Sequence, residues 1–204
     1  SINTKSIYFP HFQRFSILSS TADITEDIQN DHRELEKHYK AYKAAKTVED
    51  GHKWFNIFLW EICRHSAAEE IIMYNMMESQ GEKGKELAHK SREDHRKLKK
   101  MLEDLRNEKD EKKFEEKFDA VYKNFQDHVK LEEGEDVPFI KKNISAEARA
   151  AASKAFRFKK NLVPTRPHPE IPDKPTTLEL ALGMLAYPAD KLRDLFTEFP
   201  DKKQ

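Results

Sequence analysis

Two short stretches, "HSAAEE" at residues 65–70 and "HVKLEE" at 128–133, decide how this chain folds. Each sets a histidine four residues ahead of one glutamate and five ahead of a second. The histidines are 63 residues apart, and so are two "DHR" triplets, Asp31-His32-Arg33 and Asp94-His95-Arg96. Positions i and i+4 share a helix face, so His65 with Glu69, and His128 with Glu132, each converge on one point.

The apolar residues around these pairs recur with helical spacing. A first helix begins near Asp23 or Thr25, both suited to capping, and carries Ile24, Ile28, His32, Leu35 and Tyr39 on one side. A second covers residues 50–79 through Trp54, Phe58, Ile62, His65, Glu69 and Met73. After "SQGEKG" a third runs through Leu87, Ser91, His95, Leu98 and Leu102. A fourth passes Phe114, Phe118, Val121, Phe125, His128 and Glu132 until Gly134 and Pro138 interrupt it. Four long amphipathic helices with short polar links predict an all-α, up-down-up-down bundle over residues 23–140. The period of 63 occurs only twice, so the bundle is two similar helical hairpins rather than a solenoid.

Composition removes several classes of function. With 37 basic and 37 acidic residues the net charge is zero, which argues against a nucleic-acid stripe or a polybasic membrane anchor. No run of 18 apolar residues exists to span a membrane. The single cysteine, Cys63, fits a reducing compartment. The opening "SINTKSIYFPHFQRF" has no apolar h-region. It is therefore not a secretory signal, and a cytoplasmic protein is expected. Being basic, hydroxylated and free of acids, it also suits the remnant of an organellar presequence, which makes a mitochondrial protein the alternative.

Residues 1–22 form an N-terminal arm and 141–204 a C-terminal helical extension. In that extension "SAEARAAASKAFRFKK" reads as a fifth helix capped by Ser145. A Pro-rich connector, residues 163–175, follows with five prolines in thirteen residues. The closing "TTLELALGMLAYPADKLRDLFTEF" is amphipathic, with Pro188 suited to a first helical position. This segment is expected to fold back on its own bundle. Contact with a protein partner or a membrane surface is the alternative.

Each bundle helix thus aims one histidine at the axis, and two add a glutamate one turn on. Burying such groups unpaired costs roughly 2–7 kcal/mol each, and far more for a bare charge. A bound cation removes that cost by taking imidazole nitrogens and carboxylates as ligands. One histidine on an apolar stripe is most simply a hydrogen-bonded core residue; four in register, two with matching glutamates, are not. His11, His38, His52, His89 and His168 lie off the stripes or in loops and are read as ordinary residues. Mixed nitrogen and oxygen ligation suits iron better than calcium or magnesium, and no thiolate cluster suggests zinc. Six donors exceed one tetrahedral ion and suit two metals sharing carboxylates. The Glu-x-x-His strings at 49–52 and 86–89 invite comparison with ferritin-like sites. The first contains Gly51 at a helix start and the second lies off its stripe, so both read as coincidence.

The ordered set of one His, HxxxE, one His, HxxxE resembles the hemerythrin-like, HHE cation-binding family over about residues 23–140. That resemblance implies a non-haem di-iron centre, carboxylate- and oxo- or hydroxo-bridged. Carried over, His32 and His65 bind one iron and His95 and His128 the other, with Glu69 and Glu132 bridging. Hemerythrin itself places its last bridging carboxylate five residues after the histidine, which here is Glu133. Periodicity favours Glu132, because Glu133 turns about 140° from His128. The family's oxygen carriers also have His-x-x-x-His on the third helix, whereas Ser91 and Lys99 flank His95 here. One iron is then under-ligated unless water, hydroxide or a carboxylate such as Glu36 or Glu61 helps. The aspartates preceding His32, His95 and His128 are about 100° round the helix and read as solvated or capping groups. The Pro-rich tail with its "DKLRDLF" string is similar to those of fungal-type members.

These readings imply a di-iron protein that engages O₂, NO or peroxide in storage, sensing or protection. The alternatives are a catalase-like or oxygenase enzyme at the open iron position, and an interaction module acting through the tail.

Overall fold

The computed structural model describes residues 22–170 and 187–200. The N-terminal arm up to residue 21, the end of the Pro-rich connector and the first part of the amphipathic tail lie outside them. The chain runs α1 (Ile24–Ala44), α2 (Val48–Ile71), α3 (Met73–Glu78), α4 (Glu82–Arg106), α5 (Glu111–Leu131), α6 (Val137–Asn143) and α7 (Ala146–Lys159). A further helical stretch occupies residues 187–194. No strand occurs among the described residues, and no helix there is long and apolar enough to cross a membrane.

Short polar side chains fix where the helices begin. Asp23 accepts the Thr25 N–H at 3.0 Å, Thr47 the Asp50 N–H at 3.1 Å and Asp110 the Lys113 N–H at 2.9 Å. Ser145 caps α7 by accepting the Ala148 N–H at 3.2 Å, as its sequence predicts. Each such cap is worth about 1 kcal/mol.

Two helices depart from expectation beside the histidine–glutamate pairs. The second does not run unbroken to Ser79: Ile72, at φ −106° and ψ −60°, separates α2 from α3. The fourth is not ended by Gly134 and Pro138. It passes through a π-helical turn, Glu132–Asp136, in which the Val137 N–H donates to the Glu132 carbonyl. Pro138 then falls in the first turn of α6, where a missing N–H costs little.

The core divides into two apolar clusters. One gathers Leu35, Phe58, Ile62, Leu98, Phe118 and Phe125. The other gathers Ile24, Ile28, Met73, Leu87, Ile140 and Phe156. On every bundle helix the site histidine lies between the two sets, so the polar residues form a layer with hydrocarbon above and below. Beyond the bundle, α7 packs on α1 and α2. The tail lies along α2: Trp60 Nε1 donates to Asp194 at 3.1 Å and Arg64 Nε to the Lys160 carbonyl at 2.6 Å. Asp190, fully buried, accepts the Thr165 and Arg166 N–H groups.

Gly84 lets α4 approach α3 closely, since a Cβ there would sit 1.9 Å from the Met77 carbonyl oxygen. Gly84→Ala must push the helices apart at the cost of about 3 kcal/mol. A melt followed by circular dichroism should show a loss of roughly 6–12 °C for a chain of this size.

Candidate metal centre

All six residues named from the sequence meet in that central layer. His32, His65, Glu69, His95, His128 and Glu132 are each 5% exposed or less. The donor atoms fall into two groups, His32–His65–Glu69–Glu132 and Glu69–His95–His128, each with its atoms within 4.8 Å of one another. Glu69 belongs to both: one oxygen lies 3.1 Å from His65 Nε2, the other 3.4 Å from His95 Nε2. Glu132 Oε2 likewise stands 3.1 Å from His32 Nε2 and 3.5 Å from His128 Nε2. Glu133 points elsewhere, as helical geometry requires.

These contacts are close without being hydrogen bonds. The Nε2 atoms of His32 and His65 and all four oxygens of Glu69 and Glu132 are buried with no hydrogen-bond partner. Six such atoms within one layer carry a desolvation penalty that their protein neighbours offset only in part. In each group the donor atoms lie close enough together to share one cation. The residues therefore fit metal ions of the nitrogen–oxygen class.

The opposite edge of each ring is also engaged. His32 Nδ1 faces Glu133 at 2.9 Å, His65 Nδ1 faces Asp31 at 3.1 Å and His95 Nδ1 faces Glu70 at 3.0 Å. His128 Nδ1 faces Asp94 at a looser 3.9 Å. A carboxylate at Nδ1 holds the proton there and leaves Nε2 free as a donor to metal. Cations brace three of these carboxylates: Arg33 grips Glu133 with two bonds of 2.8 Å, Lys99 holds Glu70 at 2.7 Å and Lys160 holds Asp31 at 2.6 Å. Asp31 and Asp94 are thus not merely solvated or capping groups. The aspartate before His128, Asp127, does stay on the surface, paired with Lys123. The doubled glutamate of each hairpin is explained at the same time. The first faces the centre, and the second braces a histidine of the other hairpin.

The position opposite the missing histidine holds something the sequence did not announce. The Tyr74 hydroxyl, fully buried, lies 3.0 Å from His95 Nε2, which is itself 3.2 Å from His128 Nε2. Ser91, one turn before His95, donates to the buried Asp136 at 2.8 Å. Glu36 and Glu61 do not enter the site. They pair with Lys40 and with Arg64, because their helix faces point away from the axis.

Electrostatics separates the donors further. Burial opposes a charge on His32, but Glu132 and Glu133 outweigh it and lift its pKa to about 9. Burial pushes His65 down to about 4 despite Asp31, and it also lowers His95. Burial and then the Glu132 charge raise Glu69 well above the carboxylate range. Glu132 shares that burial, yet His32 and His128 hold it low. Asp136 is pushed up to about 7 by burial and by Glu132. Burial keeps the Tyr74 phenol neutral.

A family model described as the hemerythrin HHE cation binding domain matches residues 23–140. An uncharacterised hemerythrin-like protein of the fission yeast Schizosaccharomyces pombe is 37% identical over 179 residues, covering 87% of this chain and 88% of that protein. No solved structure matches the chain.

Without an ion, His32 keeps its proton below about pH 9, and Glu69 holds one to well above the usual carboxylate range. Metal binding must expel these protons, so affinity falls as pH falls. One proton gives roughly a tenfold loss per pH unit. Chelator competition should therefore show metal bound at least about 100-fold more weakly at pH 6 than at pH 8. Calorimetry in buffers of different ionisation enthalpy should count one to two protons released. A pH-independent affinity would remove His32 and Glu69 from the ligand set.

Proposed function

The chain belongs to the hemerythrin HHE cation-binding family, and we propose that it is a non-haem di-iron protein engaging O₂, NO or peroxide in storage, sensing or protection. The observation that carries this reading is the convergence of six buried, unpartnered donor atoms on two overlapping points. Two overlapping groups sharing Glu69 support two ions rather than one. His32 and His65 would hold one iron, His95 and His128 the other, with Glu69 and Glu132 as shared carboxylates. A bound iron pair supplies the one- and two-electron chemistry that small oxidants and nitric oxide require.

The chain's own groups define what can happen at such a pair. Apolar clusters above and below the layer close the site off from bulk solvent. The Nδ1 carboxylates orient each imidazole and raise its basicity. On the His95–His128 side Tyr74 offers a neutral phenolic hydrogen, and Asp136 is a proton-holding carboxyl braced by Ser91. The lone cysteine, Cys63, is buried and its thiol is pushed up to about 12 by burial. It remains a thiol, in keeping with a reducing compartment such as the cytoplasm or the mitochondrial matrix.

A second reading is enzymatic. Tyr74 and Asp136 give the open iron position the acid–base groups that turnover of peroxide or an organic substrate needs. It is favoured only if chemistry follows binding.

Protein purified without chelator, or loaded anaerobically with Fe(II), should hold close to two irons per chain. Glu69→Ala should leave fewer than one, because it removes the donor common to both groups. A wild-type content below one after loading would end the di-iron reading. Tyr74→Phe should keep its iron while changing the visible spectrum of the oxidised protein and its response to azide, NO or peroxide. If peroxide consumption in the wild type is lost in that variant at unchanged iron content, the enzymatic reading is preferred.

A further inference from the structure

The extension beyond residue 140 is joined to the metal layer by a ladder of charged contacts. Asp23, the cap of α1, and Asp27 and Asp31 within it recur every four residues. Each meets a partner on or just after α7. Arg149 Nε donates to Asp23 at 2.8 Å, Arg157 Nε to Asp27 at 2.9 Å, and Lys160 Nζ to Asp31 at 2.6 Å. The first two rungs end on the surface of α1. The last ends on the carboxylate that faces His65 Nδ1.

Lys160 is itself held. Its carbonyl accepts from Arg64 Nε at 2.6 Å, its ammonium also lies 3.4 Å from Glu61, and its side chain is only 13% exposed. Phe156, one turn earlier on α7, meets the His65 ring edge-on at 6.2 Å. The extension therefore touches His65 by an aromatic face and braces its aspartate by a charge. The duplicated hairpin supplies an internal comparison. Asp94, which occupies the position of Asp31 in the second hairpin, lies outside the reach of α7. There the distance to histidine is 3.9 Å instead of 3.1 Å, and the aspartate side chain is 35% exposed instead of 22%.

We propose that Lys160 is a positioning residue for the metal centre: through Asp31 it fixes His65, so the C-terminal extension strengthens the His32–His65 ion selectively. This inference rests on the two-ion reading given above. The physical reason is that a carboxylate at Nδ1 orients its imidazole only as firmly as it is itself held. Changes at such outer partners commonly alter metal affinity 10–100-fold.

The test is a Co(II) titration of the full-length, chelator-stripped chain, followed by its visible ligand-field bands. His65→Ala identifies which binding step belongs to the His32–His65 ion, because that step is lost. In Lys160→Met this step should weaken roughly 10–100-fold while the other moves by less than about threefold. Lys160→Arg should restore it, since a cation again reaches Asp31. Arg149→Met, which breaks the far rung, should lower the melting temperature and leave both steps in place. Should Lys160→Met lose its helical circular dichroism, Lys160→Gln gives the same comparison. Unchanged steps in the Lys160 variants, equal weakening of both, or an equal effect of Arg149→Met would overturn the proposal. A wild-type chain that binds fewer than two Co(II) would overturn the two-ion reading and this inference with it.

Discussion

Everything in this fold is arranged around a layer of six buried polar side chains that satisfy one another only in part. Hydrocarbon lies on both sides of the layer and closes it off from bulk solvent. Groups left unpartnered there would cost several kcal/mol apiece, a sum comparable with the whole stability of a domain. The chain alone relieves this only in part: burial and the Glu132 charge push Glu69 towards its neutral form, while His32 and His128 hold Glu132 low. Cations would relieve the layer more completely, and the apolar clusters would then be closing over a satisfied site. Stability and metal occupancy are in this sense one quantity, as the linkage of binding to folding demands.

The outer partners decide whether the layer can be a good ligand set. An imidazole that can rotate or change tautomer is a poor donor. Three of the rings here are pinned at Nδ1 by a carboxylate, and Asp94 faces the fourth at 3.9 Å. The partners cross between hairpins. Glu70, from the first, braces His95 of the second, and Glu133, from the second, braces His32 of the first. Asp31 and Asp94 work within their own hairpins. Arg33, Lys99 and Lys160 then hold the carboxylates, so three of the four rings are fixed by a chain of two contacts rather than one.

Much of this was legible in the sequence, for a reason that also explains what was not. Donors facing a helix axis obey the i, i+4 rule, so His65 with Glu69 and His128 with Glu132 stood out along single helices. Asp31 and Asp94 point sideways to a neighbouring helix, and a projection of one helix reads that direction as solvent. A signal did exist. The 63-residue offset keeps Asp31, Glu70 and their counterparts in register as faithfully as it keeps the histidines. Tyr74 and Asp136 have no such echo: their counterparts in the repeat are Val137 and Met73. Tyr74 is hidden in an apolar run after the break at Ile72. Asp136 lies past Gly134, where the helix was expected to stop and instead widened into a π turn. Lys160 is one basic residue among several, and only packing distinguishes it.

The crossing of partners between the halves carries an evolutionary corollary. Neither hairpin owns a complete ion site, since each supplies a carboxylate that the other half needs. A hairpin of this kind paired with its own twin about a two-fold axis would assemble the same set of donors from identical chains. Joining the twins into a single gene frees each half to mutate alone. Tyr74 on one side and the Lys160 brace on the other are where this chain departs from that symmetry.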